Sequence, residues 1–185
     1  MLLTHIRSVI ITALLMFLGM GFTLVVTMRF ADPTSVYETA ARERGGLYLG
    51  RDGVVLQDKS NTCGPAALKM ILDECGKTVS LAELEEGRRS SDSGWSMQSL
   101  KELAELHGLS AEGWRLNVES LRKKRFPVIL FLENNHFIVA DGVDTVGFLY
   151  VRDPAIGRMK IHRHALTRIW KGETLVFGEC QFLGG

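Results

Sequence analysis

A chain of 185 residues suits one domain with an appendage, and its 22 Lys+Arg against 21 Asp+Glu leave it close to neutral. All but one of the basic residues lie beyond Met28, together with all 21 acidic ones, so that part lacks the basic excess a nucleic-acid surface needs. Three cysteines are too few for a disulfide framework; with no CxxC pair and no zinc-like Cys/His spacing, neither a metal nor a cofactor is expected.

In chain order, residues 1–28 come first as a membrane anchor or signal-like segment. No charge interrupts the apolar run from Ser8 to Met28. At about 1.5 Å per residue a helix of this length spans roughly 31 Å, against a bilayer core of about 30 Å. The run exceeds a signal-peptide core of about 7–15 residues, and no small-x-small cleavage site follows it. One uncleaved transmembrane helix is therefore expected. The order of Arg7 and then the run places the following domain outside the cytoplasm, although Arg29, Arg42 and Arg44 lie on that same side. Residues 29–50, broken by Pro33 and punctuated by Gly45-Gly46 and Gly50, are expected to be a linker. Residues 51–185 form the domain proper.

The domain opens with a helix from Cys63, capped by Asn61 or Thr62, with Pro65 in its first turn; its apolar positions run to Leu72, and Gly76 stops it. A second, short helix opens with Ser80-Leu81-Ala82-Glu83, a capping-box pattern. A third runs from about Met97 to His107, closed by Gly108, and a fourth follows Asn117. The cluster Arg122-Lys123-Lys124-Arg125 is a solvated helix end. Apolar strands are expected at 127–132, 136–140, 148–151 and 174–177, with a fifth at 181–183. Helices first and strands afterwards indicate an α+β fold. Gly76-Lys77-Thr78 imitates the end of a phosphate-binding loop, but Ile71 stands where its first glycine belongs, so no ATP site is expected.

A lone helical cysteine is ordinarily a small buried hydrophobe. Cys63 differs, because the free N–H groups and dipole at a helix start favour a thiolate. Cys75 and Cys180 have no such setting and are structural; their spacing does not say whether they pair. A cysteine nucleophile needs a base and the base an orienting acceptor. His136, after a polar turn and at the head of an apolar strand, is the candidate base, where the plainer alternative is a satisfied structural histidine. Asp153, at the end of the next strand, is the candidate orienter, with Asp141 and Asp144 as rivals. Gln57 is either a surface loop residue or, with the Cys63 N–H, a donor to an oxyanion.

Gln57 and Asn61-Thr62-Cys63-Gly64-Pro65-Ala66-Ala67-Leu68, then His136-Phe137-Ile138-Val139, Asp153-Pro154-Ala155 with Gly157, and Trp170-Lys171-Gly172-Glu173-Thr174-Leu175 resemble, in order, the motifs of the bacteriocin-processing cysteine peptidases. These are papain-like domains that remove double-glycine leaders and often front peptide-exporting ABC transporters. The resemblance implies a papain-like fold, helices packed on an antiparallel sheet, with Cys63 as nucleophile, His136 as base, Asp153 as orienter and Gln57 as oxyanion donor. It departs at Thr62, where many members carry Asp, and no transporter-like region is expected in the chain. Gly94, Trp95 and Met97 are expected to wall the cleft and to favour small residues such as Gly-Gly before the scissile bond. The expected partners are a peptide or protein substrate, the membrane through residues 8–28, and a peptide export system. Alternatives are an amide hydrolase or transglutaminase-like enzyme, and a non-catalytic peptide-binding accessory.

Overall fold

The computed structural model describes residues 34–86 and 94–180. The described residues from Tyr37 onward form one compact unit. No helix among the described residues is long and apolar enough to cross a membrane; the run 8–28 and the expected strand at 181–183 lie outside them.

In chain order the elements are α1 (Thr34–Glu43), β1 (Gly46–Gly50), α2 (Cys63–Glu74), α3 (Leu81–Glu86), α4 (Met97–Leu106), β2 (Ala111–Arg115), α5 (Val118–Leu121), β3 (Val128–Leu132), β4 (His136–Val143), β5 (Phe148–Asp153), β6 (Gly157–His162), α6 (Arg163–Ile169) and β7 (Trp170–Phe177). The strands form one sheet in the order β1-β6-β5-β4-β3-β7-β2, with every pairing antiparallel. The fold is α+β, with helices preceding most of the sheet.

Strand β3 and residues 137–140 of β4 are apolar throughout because both of their faces are covered. Side chains alternate between faces with period two. Ile129, Phe137 and Val139 therefore join Leu68, Ile71, Leu72, Leu100 and Leu103 of the helices in one core. Leu130, Leu132 and Ile138 join Val151, Met159, Ile161 and Leu166 in a second core on the opposite face. The first core holds α2 against the sheet. Its residues Leu68, Ile71 and Leu72 are fully buried, which stabilises the fold by about 1.5–3 kcal/mol per side chain relative to exposure. The turn between β3 and β4 passes through Asn135 at φ 56°, a conformation asparagine tolerates better than branched residues.

The segment expected to be a linker carries regular structure instead. Residues 34–43 are helical, and 46–50 form an edge strand on β6, with Gly46 opposite Ile161 and Tyr48 opposite Met159. Both glycines of the pair 45–46 serve a tight helix-to-strand turn rather than a flexible tether. Strand β2 also escapes the sequence reading: only Ala111 is buried in it, and pairing with β7 alone makes it a strand. Cys75 and Cys180 are joined in a disulfide with their Cα atoms 5.4 Å apart, so the end of α2 is tied to the chain beyond β7. Cys63 is the free cysteine.

Candidate active site

Cys63 is the first residue of α2 and is buried, with 4 % of its surface exposed. Thr62 occupies the cap position but makes no cap hydrogen bond, contrary to the capping expectation. Its hydroxyl instead donates to Asp58 Oδ1 at 2.8 Å within the preceding turn. The first N–H groups of α2 thus keep their capacity to face an anion. The backbone N–H groups of Phe137, Gly64 and Cys63 itself act on the sulfur in that sense, and Arg44 adds a positive charge nearby. Burial acts the other way and is the largest effect, so the Cys63 thiol is pushed above its usual range. The Sγ–H donates to the Asn135 carbonyl at 4.0 Å, which ties the helix start to the turn that delivers His136.

His136 heads β4, and Asp153 ends β5. In the antiparallel ladder Val139 stands opposite Arg152, so Asp153 lies one step further along, on a diagonal to His136. His136 Nε2 meets Asp153 Oδ1 at 2.8 Å. With Nε2–H donating to a carboxylate, the neutral ring carries its lone pair on Nδ1. The rivals are engaged elsewhere. Asp141 pairs with Arg152 Nη2 at 2.6 Å, and Asp144 Oδ1 accepts the N–H groups of Val146, Gly147 and Phe148 in its own turn.

Asp153 has no exposed surface. Its Oδ1 also accepts the Ala155 N–H at 2.8 Å, and its Oδ2 accepts from Arg44 Nη1. Arg44 was not among the sequence candidates. Its one local signal is Gly45-Gly46, which permits the turn that aims it. Burial and then the Arg44 charge push the His136 pKa down from 6.5 to about 3, so the imidazole is neutral at pH 7.

The Gln57 backbone N–H donates to Pro154 O at 2.9 Å, which fastens its loop beside the Asp153 turn. Its side-chain Nε2 donates to Lys59 O at 2.9 Å, and its buried Oε1 has no partner. The amide donor is thus engaged by a carbonyl of its own loop. Trp95 packs against the first turn of α2, at Gly64, next to Cys63 in sequence: a Cβ placed on Gly64 would lie 3.1 Å from Trp95 Cβ and 3.4 Å from Phe137 Cδ2. Trp95 also lines a cavity of about 490 Å³ whose described walls include Asn61, Thr62, Lys59 and Glu85. Met97 packs against the helix-side core and is not among that cavity's lining. Gly94 takes φ 84° in the approach to α4; among the described residues a Cβ there would meet nothing within 4 Å, and Gly94 is not among the cavity's described walls. Among the described residues no cluster of three or more His, Cys, Asp or Glu side chains could hold a metal ion.

Residues 51–180 match the Peptidase C39 family. An uncharacterized protein of Methanothermobacter marburgensis is 34 % identical over 129 residues, covering 70 % of this chain and 90 % of that protein. The colicin V secretion/processing ATP-binding protein of Escherichia coli is 30 % identical over 122 residues, covering 66 % of this chain but 17 % of that protein. Among solved structures, a double-glycine motif protease from an AMS/PCAT transporter, in complex with the leader peptide, superposes with a TM-score of 0.64 at 32 % identity. The match covers 71 % of this chain and 96 % of that one.

Proposed function

The chain belongs to the peptidase C39 family and is a cysteine peptidase; from that premise we propose that Cys63, His136, Asp153 and Gln57 carry the reaction and that leader-type peptides are cut after a Gly-Gly pair. The observation that carries the assignment is the buried His136–Asp153 hydrogen bond, linked through Asn135 to a cysteine at a helix start. Asp153 fixes the Nε2–H tautomer and leaves Nδ1 to take the Cys63 proton. The sulfur attacks the peptide carbonyl carbon, and the negative charge moves to the carbonyl oxygen. The Cys63 N–H and Gln57 Nε2 hold that oxygen, the latter by exchanging its bond to Lys59 O. His136 gives its proton to the departing amine, and water attacks the thioester, returning the proton to Cys63 through His136.

Trp95, over Gly64 and beside the cavity, narrows the approach to Cys63, which favours an extended backbone without side chains at the cut. Residues 8–28 anchor the protein in a membrane, and the domain works outside the cytoplasm alongside a peptide export system. The disulfide between Cys75 and Cys180 supports that compartment, since such bonds persist where the surroundings oxidise. Colour or activity from a reporter fused to the C-terminus and active only in the cytoplasm would reverse this location.

The test of the site uses peptides that vary only in the two residues before the cut. Cleavage after Gly-Gly is expected to exceed that after Leu-Leu or Phe-Arg, Cys63→Ala to abolish it, and Trp95→Ala to relax the preference. Retained turnover in Cys63→Ala overturns the mechanism, and equal cleavage of all three peptides overturns the specificity.

A further inference from the structure

Residues 44–50 lie outside the family match, yet 46–50 are built into the sheet and Arg44 reaches the site. Helix α1 ends at Glu43, and the Gly45 N–H closes the turn onto Arg42 O at 2.8 Å. Gly45 takes φ 74°, and a Cβ there would lie 2.6 Å from Ala165 Cβ; a Cβ on Gly46 would lie 3.1 Å from Ile161 Cγ1. Gly45 needs glycine, Gly46 sits tightly against its neighbours, and together they lay the turn close against β6 and α6. Arg44 is thereby aimed inward, onto a carboxylate 109 residues away in sequence.

That carboxylate is the one that orients His136. One oxygen of Asp153 serves the imidazole and the Ala155 N–H, the other the guanidinium. A carboxylate without exposure is costly unless its charge is compensated, and arginine supplies a charge that does not titrate. The groups facing His136 are Asp153 from β5, Arg44 from the α1–β1 turn and Cys63 from α2. Arg152, next to Asp153, turns away to Asp141 and Glu74, while Glu133 at the β3–β4 turn pairs outside with Lys171.

We propose that Arg44 is a positioning residue of this peptidase: through Asp153 it fixes the orientation of His136, and its permanent charge sets the pH window in which the Cys63–His136 pair works. The proposal rests on the assignment of Cys63 and His136 as the reacting pair. The active state carries one proton on that pair, whichever of the two atoms holds it. A nearby positive charge opposes gain of a second proton and favours loss of the last one, so it draws both limbs of the pH profile downward. The shift seen for His136, for which Arg44 is the second cause after burial, has this sign.

The experiment uses the full chain in detergent micelles. Arg44→Gln is expected to move both limbs of the kcat/KM profile on a Gly-Gly peptide upward by about one pH unit or more. Arg44→Lys keeps the charge and returns the limbs toward their wild-type positions. The double variant Arg44→Gln/Asp153→Asn, with both charges gone, brings them back as well, though at lower rate. Titration of the His136 ring by NMR, identified by its loss in His136→Gln, follows the same order. That readout needs no turnover, so a failure of the peptidase reading is distinguishable from a failure of this one. A profile that only drops in height in Arg44→Gln, with the His136 titration unmoved, overturns the proposal. If Arg44→Gln does not fold, the double variant decides: folding with a wild-type His136 titration supports charge compensation, and failure to fold reduces Arg44 to packing.

Discussion

Cys180→Ser removes the one cross-link between the end of α2 and the chain beyond β7. The two cysteines are 105 residues apart. Closing a loop of about 100 residues in the unfolded chain is worth about 4.7 kcal/mol on the chain-entropy argument, and loss of native disulfides typically costs about 2–5 kcal/mol. At about 2–4 °C per kcal/mol for a chain of this size, Tm should fall by roughly 10–15 °C. Guanidinium unfolding followed by tryptophan fluorescence should shift its midpoint by about 1 M for an m-value of about 4 kcal/mol/M. Wild-type protein treated with reductant should follow the variant. Denatured without reductant, the wild type should take up alkylating reagent at Cys63 alone, because Cys75 and Cys180 are bonded to each other. Activity well below Tm should survive, because Leu68, Ile71 and Leu72 still hold α2 and the Cys63 start lies at the opposite end of that helix. A Tm within about 2 °C of wild type would refute the loop-entropy reasoning. Labelling of all three cysteines without reductant would refute the bond itself.

Acid should weaken the fold through His136. Its folded pKa of about 3 lies below the 6.5 of the unfolded chain, so the unfolded state binds more protons and stability falls as pH drops from about 6.5 toward 3. The full effect approaches about 4–5 kcal/mol, and a His136→Gln protein should show a flatter stability curve between pH 6.5 and 4. Gly64→Ala should cost about 1–3 kcal/mol by pressing a methyl onto Trp95. It should also alter peptide preference more than Leu72→Ala does; unchanged preference would detach Trp95 from the cleft. Leu72→Ala, at a fully buried position, should cost about 2–5 kcal/mol in chemical denaturation and leave the cleavage profile of the surviving folded protein unchanged.

The helix from Cys63 and the strands at 127–132 and 136–140 could be read from the chain because burial leaves a local periodicity: apolar residues at helical spacing, and unbroken apolar runs where both faces of a strand are covered. A cysteine at a helix start and a histidine at a strand head are likewise local facts. The sequence favours Asp153 from its place at a strand end, but the contact itself is not local. Asp141, Asp144 and Asp153 all flank the same pair of strands, and only the β4–β5 register separates the one that reaches the imidazole from those held by Arg152 and by a turn. Edge strands β1 and β2 carry little apolar pattern of their own and exist through their ladders to β6 and β7. Gln57 has the residue type for an oxyanion donor, but a carbonyl two residues away in its loop competes for the amide. The union of Cys75 with Cys180 and the reach of Arg44 to Asp153 span 105 and 109 residues. Local sequence sets what each residue can do, whereas meetings at that range are decided by how the chain packs.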